Sequence, residues 1–274
     1  MNLKTSASVV LLLLLGFAAS AADAAFPGKV TQWMGQDRHD FDFNGKTATV
    51  VVPKEPLPGK PWAWRGEFFG AFAEADAELV KRGFHIAYLR VPDLFGAPEA
   101  QKLWLPFYEE LTGKHGLSKK PALIGMSRGG LYCFNWAAAH PDKVSCIWAD
   151  AAVCDFRSWP GGTLKGLGKG KGSEAEWAKM LKAYGFTNDA QAIAYRGNPV
   201  DNLKPIADAK IPLLLVYGDA DDLVLPEENS LVVAERYKKL GGPLTVIPKP
   251  GIGHHPHSLT NPTPIVEFVM KHAK

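Results

Sequence analysis

Ser127 stands in Gly125-Met126-Ser127-Arg128-Gly129, a Gly-x-Ser-x-Gly pattern that directly follows an apolar run. Two nearly side-chain-free residues around a serine suit a turn from strand to helix so sharp that the hydroxyl is left projecting at the helix N-terminus, a nucleophile elbow. A serine hydroxyl is a weak nucleophile at neutral pH. It needs a histidine to take its proton and a carboxylate to fix that histidine's tautomer and stabilise the imidazolium. Downstream, Leu213-Leu214-Leu215-Val216-Tyr217-Gly218 opens into an acidic turn holding Asp219, Asp221 and Asp222, and Gly251-Ile252-Gly253 is followed by His254, His255 and His257. Asp155, after an earlier apolar run, is a further candidate acid.

These residues need elements to hold them. Pro121–Gly125 reads as a short buried strand and Leu131–Ala139 as an apolar helix, so strand, turn and helix come in the order the elbow requires. Further strands are expected at Ala48–Val52, Trp62–Trp64, Phe84–Leu89, Val144–Ala151, Pro212–Tyr217 and Leu244–Ile247. Helical patterns lie between and after them, at Ala71–Lys81, Glu99–Leu111, Glu227–Leu240 and Pro264–Lys271. That alternation is the sign of an α/β fold with a mostly parallel sheet. It breaks between about Cys154 and Lys210, where a glycine- and lysine-rich loop and two amphipathic helical patterns replace a strand. An excursion of about fifty residues is too long for a simple connection. Placed after the strand that follows the elbow, it would sit over the carboxyl ends of the sheet as a cap.

The chain resembles the α/β-hydrolase family, in which an apolar strand is followed by Gly-x-x-Asp and a later loop reads Gly-x-Gly-His. The resemblance implies Ser127 as nucleophile, Asp221 as acid and His254 as base, in the family's chain order. It leaves Asp219 and Asp222 to capping the turn or meeting solvent, His255 as the competing base, and His257 to orienting the loop or touching substrate. One oxyanion donor is then the N–H of Arg128. The second usually lies at a His-Gly sequence, but the matching segment reads Trp64-Arg65-Gly66-Glu67, which points to Gly66 or Glu67. Arg65, Trp64 and Trp159 are the expected substrate contacts, with Arg65 and Arg128 either gripping an anionic group or forming ion pairs. The Trp-x-Trp-Arg segment looks like that of bacterial carbohydrate esterases and prolyl-oligopeptidase-like hydrolases. The implied activity is cleavage of carboxylic esters on decorated polysaccharide or oligosaccharide, acetyl or methyl. A small serine peptidase and a non-catalytic carbohydrate-binding relative are the alternatives. No cofactor is implied. A metal site in the three-histidine loop is not expected, because no Cys, Asp or Glu cluster with ligand spacing lies nearby.

Composition bounds the rest. With 274 residues, 46% hydrophobic and 22% charged, the chain suits one large domain, expected over 25–274. A net charge of +3 and the lack of a long Lys/Arg run argue against nucleic acid as a partner. Lys4, the apolar stretch Val9–Phe17 and the small residues to Ala24 predict a secretory signal peptide over 1–24, too short to span a bilayer, and a secreted or periplasmic protein free of the membrane after cleavage. Cys133, Cys146 and Cys154 allow at most one intrachain disulfide, and burial as small hydrophobes is expected of them.

Overall fold

The computed structural model describes residues 25–273, so the expected signal peptide over 1–24 lies outside the described residues. Nine strands form one sheet: β1 (Lys29–Trp33), β2 (Gln36–Phe43), β3 (Lys46–Val52), β4 (Trp62–Arg65), β5 (His85–Leu89), β6 (Ala122–Met126), β7 (Cys146–Asp150), β8 (Leu213–Gly218) and β9 (Leu244–Lys249). Their order is β1-β2-β3-β5-β4-β6-β7-β8-β9. The pairs from β1 to β5 across β2 and β3 are antiparallel, and every pair from β5 to β9 is parallel. The fold is the α/β-hydrolase fold expected of the chain.

Strands β6 and β7 are buried along their whole length, because helices cover both faces of the sheet. On one face Trp64, Leu123, Ile147 and Leu215 meet α2 (Pro98–Glu109) and α3 (Gly129–Ala139). On the other, Ala63, Ile124, Trp148 and Val216 meet α1 (Glu74–Lys81) and α8 (Thr263–His272). Alternate residues of a strand face opposite ways, which is why Trp62 and Trp64 share one core and Ala63 joins the other.

The interruption between β7 and β8 carries α4 (Glu174–Tyr184), α5 (Asp189–Ala194) and α6 (Lys204–Asp208); α7 (Ser230–Lys239) follows β8. The Ser173 hydroxyl accepts from the Glu176 N–H and starts α4, and Gly185 ends it in a left-handed turn. Phe156, Trp177, Met180 and Ala192 form an apolar cluster of their own against Phe95, Leu131, Val153 and Val224 of the body. Val200, Leu203, Ile206 and Ala207 instead join the core under α3. Within the expected 154–210 interruption, the part that stands apart from the sheet is about 156–195.

Two strands were not anticipated. β1 and β2 form an edge hairpin, and their alternation is masked by polar residues on both faces of β2, Gln36-Asp37-Arg38-His39-Asp40. The three cysteines are free and buried. Among the described residues no helix is long and apolar enough to cross a membrane.

Candidate active site

Ser127 sits between β6 and α3 with φ +47°, in the left-handed region that costs a side-chain-bearing residue about 1–3 kcal/mol. The strain is held by the frame around it. The Ser127 N–H donates to the Asp150 carbonyl at 3.0 Å, and the Ser127 carbonyl accepts from Gly130 at 3.0 Å and Val153 at 2.9 Å. Gly130 is part of that frame, because a Cβ there would stand 2.6 Å from the Ala152 Cβ and 2.9 Å from the Val153 carbonyl.

Asp221 follows β8 and His254 follows β9, so adjacent parallel strands deliver the two side chains to one end of the sheet. The loops touch backbone to backbone. A Cβ on Gly218 would lie 2.1 Å from the Ile252 carbonyl, so only glycine admits the histidine loop at that distance. Asp219 accepts from the Gly251 N–H at 2.6 Å and ties the same loops together, the turn role expected of it. His254 Nδ1 lies 2.8 Å from Asp221 Oδ2 and its Nε2 lies 2.9 Å from Ser127 Oγ. The other Asp221 oxygen accepts from the Leu223 and Val224 N–H groups at 3.0 and 2.9 Å, which fixes the carboxylate as an acceptor. Asp155 is engaged by Arg157 through both oxygens, and Asp222 is exposed.

His255 lies on the rim, its ring stacked 5.7 Å from that of Phe72. Partial burial, and then the neighbouring His254 and His257, hold its imidazole below the ordinary value. His257 is buried, with Nδ1 3.2 Å from Asp150 Oδ1. Asp150 also accepts from the Ser258 N–H at 2.8 Å and lies 3.4 Å from Lys249 Nζ.

Ser127 and His254 open into a cavity of about 420 Å³ walled by Phe68, Phe72, Met126, Trp159 and Leu223, with Arg128 and Glu176 at one side. Trp159 and Glu176 come from the cap, so the segment shares this cavity with the serine.

Three expectations for this region change, and one open alternative is resolved. Arg65 is wholly buried, its Nε 2.6 Å from Asp76 Oδ2 and its other nitrogens on the Phe68 and Ala71 carbonyls at 3.1 and 2.8 Å. It shapes the loop that walls the cavity and cannot reach a substrate. Trp64 is also wholly buried, stacked 4.0 Å from Trp104, because β4 is a central strand with both faces covered. Gly66 spends its N–H on the Ile124 carbonyl at 2.9 Å, extending the sheet, and so has no donor for an oxyanion. Arg128 is engaged by carboxylates: both Glu67 oxygens, Glu176 Oε2 at 2.6 Å and Asp93 Oδ1 at 3.3 Å. Of the two readings of its side chain, the ion pair is the one the structure shows. The Glu67 carboxylate is used in the same pair, while its backbone nitrogen lies against Gly129, where a Cβ would come within 3.3 Å of it.

The profile of the prolyl oligopeptidase family matches residues 113–273, which contain the elbow, the acidic turn and the histidine loop. The chain belongs to the prolyl oligopeptidase family. Membership places it among the α/β-hydrolases of the serine hydrolase superfamily. A further relative is Lipase 1 of Psychrobacter immobilis, 27% identical over an alignment covering 64% of this chain and 64% of that protein. Solved structures with the same fold include dipeptidyl peptidase 4 of Porphyromonas gingivalis (TM-score 0.66, 14% identity, 86% of this chain and 36% of that one). Acylaminoacyl peptidase of Pyrococcus horikoshii superposes similarly (TM-score 0.62, 14% identity, 87% of this chain and 42% of that one). The chain thus spans 64% of the lipase's length and less than half of either peptidase chain.

For this family member, sequence reasoning missed Glu176, Phe72 and Leu223 as cavity residues. The Ser173-x-x-Glu176 capping box could have put Glu176 in the first turn of a helix. Only the folded cap shows that this turn faces Ser127.

Proposed function

We propose that this protein is a serine hydrolase that cleaves carboxylic esters through an acyl-enzyme. The observation that carries the reading is the unbroken chain from Ser127 Oγ through His254 to Asp221 at the floor of an apolar cavity. Ser127 Oγ attacks the ester carbonyl as His254 Nε2 takes its proton, and the Asp221 carboxylate stabilises the imidazolium that forms. The N–H groups of Arg128 and Glu67 are the donors proposed for the tetrahedral oxyanion. His254 then gives its proton to the departing alkoxide, and a water repeats the sequence to release the acid.

The lining supports a compact, uncharged group beside the serine. With Arg128 neutralised by Glu67 and Glu176, a uronate carboxylate would find no free cation there. Trp159 and Phe68 are the aromatic faces left for a sugar ring, so acetyl esters of a saccharide remain within this reading. Peptide cleavage is the second reading, supported by the family match and by the peptidase names of the structures that share the fold. Secretion through the leader expected over 1–24 belongs to the same proposal.

The test is burst kinetics with p-nitrophenyl acetate, followed by matched panels of p-nitrophenyl esters, acetylated oligosaccharides and aminoacyl p-nitroanilides. A burst lost in Ser127→Ala with turnover confined to esters supports the reading. Faster cleavage of anilides transfers it to a peptidase, and no turnover with an unreactive Ser127 leaves a non-catalytic binding protein.

A further inference from the structure

Hydrolysis uses one histidine of the loop after β9 and leaves two beside it. One ring nitrogen from each of His254, His255 and His257 lies within 4.8 Å of the other two, and the ring centroids are 4.8, 5.0 and 5.0 Å apart. Two of the three rings have a buried carboxylate on Nδ1: Asp221 behind His254 at 2.8 Å and Asp150 behind His257 at 3.2 Å. A carboxylate there keeps the proton on Nδ1 and leaves the lone pair on Nε2. That is the outer arrangement found behind metal-binding imidazoles. The third ring, His255, is exposed at the cavity rim and can swing toward the other two.

Against the sequence expectation of no metal site in this loop, we infer that His254, His255 and His257 form a binding site for a divalent transition-metal ion of the zinc type, and that occupying it switches the hydrolase off. Three imidazoles with a fourth position open to water or Ser127 Oγ make a donor set suited to Zn²⁺ and poorly suited to Mg²⁺ or Ca²⁺, which take oxygen. Zn–N bonds of about 2.0–2.1 Å would draw the nitrogens of a tetrahedral site to about 3.3 Å from one another. The closure needed from 4.8 Å takes rotation of His255 at the rim together with a shift of the buried His254 and His257 rings. On binding, His254 Nε2 exchanges the hydrogen bond from Ser127 for a coordinate bond. Ser127 keeps its proton and no proton leaves the imidazoles, because all three bind as neutral rings. With its lone pair taken, His254 cannot accept the serine proton. This inhibition rests on the role proposed for His254, whereas the metal site does not.

The test titrates ZnCl₂ into the chelator-stripped full-length protein by calorimetry, with MgCl₂ as control. One Zn²⁺ should bind per chain. His255→Ala and His257→Ala should each remove stoichiometric binding, because two imidazoles are left of three, and His255→Gln should do the same without disturbing the buried part of the loop. Ser127→Ala should bind zinc as the natural protein does while being silent toward esters. In the natural protein, ester turnover should fall with the same midpoint as the calorimetric titration and return with EDTA. Absence of stoichiometric binding, or unchanged affinity in the His255 and His257 variants, overturns the site. Zinc binding that depends on these histidines in a protein with no ester turnover before zinc is added supports the site and counts against the hydrolase reading instead.

Discussion

Asp221, Asp155 and Asp222 are all carboxylates close to the carboxyl ends of the sheet, and hydrogen bonding separates them. Asp221 alone among them has an oxygen on His254, while its other oxygen is filled by two backbone N–H groups. If this orients the base, Asp221→Asn should lower kcat by roughly 10³- to 10⁵-fold with little change in KM, and Asp155→Asn should leave the rate within a few-fold of normal. Ester kinetics on both variants decide it; the reverse order would move the acid to Asp155. The Glu67–Arg128 pair makes a different prediction. Glu67 is buried and Arg128 nearly so. Removing the guanidinium in Arg128→Met strands the Glu67 charge, which should cost about 3–5 kcal/mol in urea unfolding. The double variant Glu67→Gln/Arg128→Met should recover much of that loss, because no unpaired charge stays behind. A double variant no more stable than the single one would show that Glu67 is not the residue stranded.

Among the elements, β6 and α3 with the turn between them could be read from the chain, because the serine's neighbours must be small and the flanks must be apolar. The steric requirement extends one residue beyond the Gly-x-Ser-x-Gly pattern. Gly130 faces Ala152 and Val153 from the loop after β7, contacts invisible until the sheet is assembled. Gly130→Ala should therefore destabilise the protein by about 1–3 kcal/mol through overpacking and reduce kcat as well, since the clash falls on the residues that hold Ser127. Thermal unfolding together with the p-nitrophenyl acetate rate checks this, and an alanine variant with normal values for both would mean that the loop after β7 gives way easily. The β1–β2 hairpin was missed because its polar strands carry little apolar alternation. A signal was present in Asn44-Gly45, whose φ values of +52° and +75° make the tight turn that joins β2 to β3. Arg65 was expected at the substrate because its segment runs close to the nucleophile, but β4 lies between β5 and β6, and Asp76 from α1 reaches in to pair with the guanidinium. Position in the strand order overrode residue type, and one sequence does not disclose strand order.

Across the whole molecule, the parallel half of the sheet fixes Ser127, Asp221 and His254 in place, while the cap is held to it by its own small apolar cluster and by Arg128 reaching Glu176. The other half of the sheet brings a liability. His85 opens β5, where the antiparallel strands join the parallel ones, and it is almost completely buried. Burial, reinforced by Lys60, pushes its imidazole from 6.5 down to about 4, against the raising effect of the Pro61 backbone. The unfolded chain therefore takes up a proton on His85 as pH falls below 6.5, and the native protein does so only near 4. Stability should be unaffected by this group at neutral pH and fall through that window, by about 3 kcal/mol in full. Urea unfolding at pH 7 and pH 4.5 should show the natural protein losing about 2–3 kcal/mol more than His85→Leu between the two conditions. Since the two carboxylates behind the histidine loop belong to both proteins, a difference between the proteins isolates His85. Equal losses would mean that His85 is protonated in the native state well above pH 4, and that acid sensitivity enters elsewhere in the sheet.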